Sequence, residues 1–130
     1  MLEPQTTLNC NGRLLSLAEP LIMGIINVTP DSFHDGGVHT DQKLMLKKVE
    51  EMLAAGAAII DVGGMSSRPG AEIITVEEEL KRVIPAITAI NKHFSEAIIS
   101  IDTIHGQVAR AAVVAGAAVS YTHLTLPTKA

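Results

Sequence analysis

The sequence LIMGIINVTPDSF, residues 21–33, joins a continuous apolar run to a polar, turn-forming segment. An apolar run without alternation, here residues 21–26, predicts a strand that is buried on both faces, as strands of parallel sheets are. Residues 58–62 and 97–101 repeat the apolar run, and a fourth strand is predicted to begin at residues 117–119. The sequence therefore predicts a sheet built from several buried strands.

Helices are predicted between these strands, at about residues 41–55, 75–91 and 107–115. Thr40 or Asp41 can cap the first helix, and Thr75 opens the second through a capping box with Glu78. Gly56 and Gly116 follow the ends of the first and third helices, where glycine is favoured. A proline inside the second helix, Pro85, is predicted to kink it.

Strands that alternate with helices indicate an α/β fold with a parallel sheet. Asn27, Asp61 and Asp102 place a polar side chain at or near the end of three successive strands. A barrel collects its chemistry at this rim, whereas an open sheet has one switch point. The pattern therefore favours the N-terminal half of a (β/α)8 TIM barrel, since a whole barrel takes ~250 residues. A short β-hairpin precedes it at residues 8–15, with Asn11-Gly12 as its turn.

The composition excludes several classes of protein. Net charge is −4 without a basic block, so neither nucleic acid nor an anionic membrane surface is an expected partner. Of the 130 residues, 47% are hydrophobic, which is enough for a sizeable core. No apolar run reaches the ~18–20 residues of a membrane helix. The single cysteine, Cys10, cannot form an internal disulfide, and the cytoplasm is the expected location. The five histidines lack the spacing of a zinc site.

The segment that follows the first strand offers one set of candidate ligands. Asn27 has a neutral carbonyl oxygen that suits a hard cation such as Mg²⁺. The loop after it carries Asp31, Phe33 and Asp35. The alternative is an ordinary Thr-Pro-Asp-Ser turn, with Asn27 bonded to the backbone at the end of the strand.

The second and third strands are followed by further candidates. The segment 63–70 combines the adjacent glycines Gly63 and Gly64 with Ser67 and Arg68, donors that suit phosphate oxygens. The alternative is a solvated loop. Asp102 could accept two N–H bonds from a heterocycle, or Asp102 or Thr103 could cap the next helix. We interpret Asp61 as a buried structural residue, Cys10 as a poor nucleophile, and Glu77, Glu78 and Glu79 as charges that favour the helix dipole.

Four stretches together resemble the dihydropteroate synthase family. They are GIINVTPDSF (24–33), IDVGGMSSRPGA (60–71), EEELKRVIP (77–85) and ISIDT (99–103), which match in order and spacing over residues 10–119. The resemblance implies condensation of a dihydropterin methyl diphosphate with 4-aminobenzoate, to give dihydropteroate and diphosphate in folate biosynthesis. It also implies Mg²⁺ as cofactor and sulfonamides as inhibitors.

The same resemblance implies roles for the candidate residues. Asn27 would help to hold Mg²⁺ and the diphosphate, with Ser67 and Arg68 as donors to that anion. Asp102 would bind pterin ring nitrogens. The remaining assignments are Phe33 and Pro69 for the 4-aminobenzoate pocket, and Asp31 and Asp35, with Arg68, for catalysis as the loops close over the pterin.

The chain departs from the family pattern at three places. Met65 stands where the family often has Glu, and Ser67 where it usually has Thr. After the fourth strand the family has Asn-Asp, whereas residues 120–130 read SYTHLTLPTKA. We therefore divide the chain into a partial pterin-binding barrel, residues 1–119, and a foreign or frame-shifted tail, residues 120–130.

Two alternatives stay open, a pterin-binding domain of a methyltetrahydrofolate-dependent methyltransferase and a non-catalytic half-barrel. We use "full-length parent" for the protein in which this chain continues to the length of its family. The resemblance implies that the parent is the transferase and allows it to be a homodimer. The 130-residue chain alone is predicted to be inactive, because the sheet of a half-barrel cannot close and leaves strand edges and an apolar inner face exposed.

Overall fold

A computed structural model describes residues 7–10, 12–16, 18–29, 38–64 and 73–121 of the chain. The elements in order are β1 (Thr7–Cys10), β2 (Arg13–Ser16), β3 (Met23–Asn27), α1 (Val38–Ala54), β4 (Ile59–Gly63), α2 (Val76–His93), β5 (Ile98–Asp102), α3 (Gly106–Ala115) and β6 (Val119–Tyr121). The last four strands pair in parallel, in the order β3-β4-β5-β6. Sequential strands joined by helices confirm the predicted α/β units.

The predicted hairpin is confirmed. Strands β1 and β2 pair antiparallel with Cys10 opposite Arg13, so two positions separate the paired ends, and Gly12 is the second of them. Gly12 has a φ of 90°, which only glycine adopts readily, and its N–H donates to Oδ1 of Asn9 at 2.8 Å. An open cavity of about 150 Å³ is lined by Cys10 together with Ile98 and Ala118. The hairpin therefore lies near the N-terminal ends of β5 and β6, away from the end that carries Asp102.

Local sequence signals explain most element ends. Oγ1 of Thr75 accepts the N–H of Glu78 at 3.1 Å and caps α2, as predicted. Gly56 and Gly116 follow α1 and α3 with φ values of 104° and 132°. The predicted cap of α1 is wrong, because the helix begins at Val38 and contains both Thr40 and Asp41. Pro85 lies inside α2, and the kink there stays a prediction.

The apolar core lies between the sheet and the helices, with Ile60, Val62 and Ile99 packed among Val83 and Ile87 of α2. We call the opposite face of the sheet, which carries Ile25, Asp61 and Ser100 in register, the inner face.

The prediction of burial on both faces holds for β4 and fails for β3. All five residues of β4 are buried. In β3, Met23 and Ile25 are 42% and 58% exposed, because β3 is an edge of the four-stranded sheet and α1 covers its other face. A Cβ added at Gly24, on that covered face, would lie 2.6 Å from Sδ of Met52.

The predicted tail begins inside β6. Ser120 and Tyr121 pair with Ile101 and Asp102 of β5, and residues 122–130 lie outside the described part of the chain. Backbone pairing does not depend on the origin of the sequence, so the foreign or frame-shifted tail stays a prediction.

Candidate active site

The C-terminal ends of β3, β4 and β5 bring Asn27, Gly63 and Asp102 into one row. Parallel pairing sets Asn27 opposite Gly63, and Gly63 opposite Asp102. Because side chains alternate along a strand, the row lies on the inner face, two residues beyond Ile25, Asp61 and Ser100. Asn27 and Asp102, predicted separately from the sequence, are therefore neighbours at the rim where parallel barrels bind their ligands.

Gly63 has no side chain, which lets Asn27 and Asp102 approach each other from the two neighbouring strands. A Cβ added there would lie 3.7 Å from Cβ of Asp102 and 3.9 Å from Oδ1 of Asn27. The amide and the carboxylate therefore flank a position that has no side chain.

The alternative role of Asp102, as a helix cap, is wrong. Asp102 is the last residue of β5, and the N-cap of α3 is His105, which makes no side-chain capping bond. Thr103 does not cap α3 either, since its Oγ1 accepts the N–H of His105 in a local turn at 3.0 Å. Asp102 is half-buried, and its Oδ1 is buried. A carboxylate in such surroundings forms stronger hydrogen bonds with N–H donors than it would in water.

Asp61 has the structural role predicted for it. Its carboxylate is 2% exposed and accepts the hydroxyl of Ser100 at 2.6 Å. The pair joins β4 to β5 one layer below Gly63 and Asp102. It therefore supports the row from below.

The start of the loop after β4 is attached to α2. Nη1 of Arg82 donates to the carbonyl of Gly64 at 2.8 Å, and its Nε donates to Oε2 of Glu78 at 3.1 Å. A Cβ at Gly64 would lie 3.0 Å from Cγ1 of Val83 and 3.1 Å from Cγ of Glu79. Glycine therefore permits the close approach of this loop to the helix.

Sequence reasoning missed Glu79 and His105 as partners. Oε1 of Glu79 lies 2.7 Å from Nδ1 of His105, and the Glu79 side chain is fully buried. The signal was present, because Glu79 falls on the same helical face as Val83 and Ile87, both buried. The interpretation of Glu79 as a charge that favours the dipole was thus incomplete.

Six predicted site residues lie outside the described part of the chain, and their roles stay predictions. They are Asp31, Phe33, Asp35, Ser67, Arg68 and Pro69. Across residues 7–10, 12–16, 18–29, 38–64 and 73–121, no three His, Cys, Asp or Glu side chains are grouped to hold a metal ion. Within those same ranges, no helix has the length and apolar character that crossing a membrane requires.

Comparison with known proteins identifies relatives along most of the chain. The family described as "Pterin binding enzyme" matches residues 23–120. The dihydropteroate synthases of Streptococcus pyogenes and Escherichia coli K12 are 50% and 52% identical over 106 residues, which is 82% of this chain. Those residues span 40% and 37% of the two relatives, so the chain covers less than half of their length.

Solved structures extend the likeness to the fold. Xanthomonas albilineans dihydropteroate synthase with 4-aminobenzoic acid superposes with a TM-score of 0.82 at 45% identity, over 91% of this chain and 44% of that one. The same enzyme in complex with 7,8-dihydropteroate gives 0.76 at 42% identity, over 89% and 41%. The Yersinia pestis enzyme with a sulfonamide drug gives 0.76 at 41% identity, over 89% and 41%. The described fold is thus the N-terminal half of the barrel seen in these enzymes.

Proposed function

The chain belongs to the pterin binding enzyme family, and we propose that it is the N-terminal part of a dihydropteroate synthase. One observation carries the proposal, namely the carboxylate of Asp102 at the end of β5, next to Gly63 and in one row with Asn27. Relatives at 50% and 52% identity named dihydropteroate synthase support the choice of reaction.

The proposed reaction joins a dihydropterin to an arylamine. The bond between the dihydropterin methylene carbon and the diphosphate oxygen breaks, and the amine nitrogen of 4-aminobenzoate bonds to that carbon. The nitrogen gives up one proton, and diphosphate leaves. Negative charge therefore develops on the leaving group and positive charge on the carbon, and fixed donors and acceptors can stabilise both.

Asp102 is the proposed pterin anchor. Its carboxylate would accept two N–H bonds from the ring. An ionised acceptor makes hydrogen bonds roughly twice as strong as a neutral one does. Burial of Oδ1 supports this role, because bulk water then competes less for the carboxylate.

The loop residues complete the proposed site. Ser67 and Arg68 would donate to the diphosphate, and Phe33 and Pro69 would frame the 4-aminobenzoate pocket. Asp31 and Asp35 would act when the loops after β3 and β4 close over the pterin. Such closure would exclude water that could otherwise capture the methylene carbon.

Mg²⁺ is the proposed cofactor, with Asn27 as its protein ligand. The side chain of Asn27 is exposed at the rim and offers an amide oxygen, the type of ligand that Mg²⁺ accepts. Mg²⁺ is commonly held by one or two protein oxygens together with waters and substrate phosphates, so this donor set fits. When bound, the ion would neutralise charge on the departing diphosphate.

The cytoplasm remains the proposed location, because Cys10 is the single cysteine and cannot form an internal disulfide. A homodimer of the full-length parent stays a prediction.

Genetic complementation tests the proposed function. The gene of the full-length parent, expressed in an Escherichia coli strain that lacks its own dihydropteroate synthase, is expected to restore growth without supplied folate products. A parent that accumulates as folded protein without restoring growth would refute the proposal. Methyl transfer from methyltetrahydrofolate by that protein would instead favour the methyltransferase alternative.

Substitutions at Gly63 test whether the pterin lies beside Asn27 and Asp102. In the full-length parent, Gly63→Ala adds a Cβ at ordinary contact distances and should change the KM for the dihydropterin little. Gly63→Val adds two more methyl groups and should raise that KM roughly 10-fold or more, because overpacking costs about 1–3 kcal/mol. Steady-state kinetics with both substrates measures the effect. An unchanged KM in the Val variant would show that the ring does not lie there.

A further inference from the structure

Glu79 is a carboxylate in a position that stability alone would fill with an apolar residue. Its side chain is fully buried on the core-facing side of α2, where charged groups are rare unless they are paired. Oε1 contacts Nδ1 of His105 at 2.7 Å, and Oε2 has no hydrogen-bond partner among the residues that the structure describes. Keeping such a group in the interior opposes folding, because burial removes it from water.

The contacts of Glu79 lead to two segments of the candidate site. His105 follows Asp102 by three residues, and its backbone N–H is bonded to Oγ1 of Thr103. On the other side, Cγ of Glu79 lies 3.1 Å from where a Cβ of Gly64 would be, and Arg82 on the next turn bonds the Gly64 carbonyl. The first two turns of α2 thus touch both the end of β4 and the turn after β5.

We infer that Glu79 and His105 are positioning residues, which fix the turn after β5 and thereby the place of Asp102 against the pterin. This inference rests on the proposed function. With a proton on Nδ1, His105 donates to Oε1 of Glu79, and the bond joins residues 26 positions apart in sequence. It holds the 103–105 turn to α2, the same helix that Arg82 attaches to Gly64.

The pair would act on the reaction through the geometry of Asp102. Asp102 is the last residue of β5, and His105, the N-cap of α3, makes no side-chain capping bond. If the His105 bond is lost, the turn loses this attachment to α2, and the carboxylate can shift. A shift of about 1 Å in a positioning group can reduce a reaction rate by as much as ~100-fold.

Substitutions at His105 in the full-length parent test the inference, and folding of each variant is checked by circular dichroism, because His105→Ala removes the partner of the buried Glu79 carboxylate. His105→Ala removes the bond and is expected to lower kcat/KM for the dihydropterin by about 10-fold. His105→Asn places an amide N–H near the former Nδ1 and should restore most of that loss. The KM for 4-aminobenzoate should change less than the KM for the dihydropterin.

Glu79 is tested by Glu79→Gln, Glu79→Ala and the double variant Glu79→Ala/His105→Ala. The double variant should be little worse than His105→Ala alone, because both changes remove one interaction. Glu77→Gln is the matched control, since Glu77 is exposed on the same turn of α2, and it should stay within about twofold of wild type.

The outcomes separate this inference from the proposed function. Wild-type activity with unchanged kinetics in folded His105→Ala protein would overturn the inference alone. Independent, multiplicative effects of Glu79→Ala and His105→Ala would also overturn it. A folded wild-type parent that makes no dihydropteroate would overturn the proposed function, and this inference with it.

Discussion

Asp102→Ala in the full-length parent is expected to lower the affinity for the dihydropterin by roughly 10²–10⁴-fold. The carboxylate is proposed to accept two ring N–H bonds, and a hydrogen bond to a charged group contributes about 1.5–3 kcal/mol. Asp102→Asn should lose nearly as much, because its amide directs a donor toward one of the ring donors. The affinity for 4-aminobenzoate should change far less.

Calorimetry on the folded wild-type and Asp102→Ala proteins measures the affinity of each for the dihydropterin. Glu50→Gln is a suitable control, since it removes an exposed carboxylate on α1 and should leave binding unchanged. An Asp102→Ala variant that binds the dihydropterin as tightly as wild type would remove this residue from the pterin site.

The 130-residue chain by itself is expected to form no dihydropteroate above the uncatalysed rate. It spans about 40% of its relatives, and β3 is an edge of the described sheet, with Met23 and Ile25 42% and 58% exposed. An open sheet edge with apolar side chains beside it favours association with other chains. We therefore expect the isolated chain to aggregate or to associate weakly.

An activity assay and sedimentation at micromolar concentration test this expectation together, with the parent as control. Formation of dihydropteroate by the isolated chain above the uncatalysed rate would contradict it. A stable, closed dimer would instead support the non-catalytic half-barrel.

Sequencing the parent gene past the codon for Val119 tests the predicted tail. An in-frame Asn-Asp would identify residues 120–130 as foreign.

Local chemistry made much of the fold predictable. Asn11-Gly12 specified the hairpin turn, Thr75 the start of α2, and Gly116 the residue after α3, because each acts on backbone groups within a few positions. The start of α1 at Val38 was missed. Thr40 and Asp41 are residue types that favour a helix N-cap, but both lie inside the helix. Exposure of Ile25 depends on the place of β3 at the sheet edge, which its own sequence does not specify.

The rim residues of the candidate site could be predicted from the sequence, but the contacts that hold the rim in place could not. Asn27 and Asp102 could be placed because a polar residue at the end of an apolar strand lies at one end of a parallel sheet. The Glu79 and His105 pair depends on how α2 packs against the turn after β5, so spacing along the chain could not reveal it. Arg82 and Gly64, 18 positions apart, are a similar case.

Product formation by the purified full-length parent tests the central claim most directly. With dihydropterin methyl diphosphate, 4-aminobenzoate and Mg²⁺, the parent should form dihydropteroate and diphosphate in equal amounts, and EDTA should stop the reaction. Each substrate should be required for both products. Folded parent that forms no dihydropteroate, or that releases diphosphate at the same rate without 4-aminobenzoate, would contradict the claim.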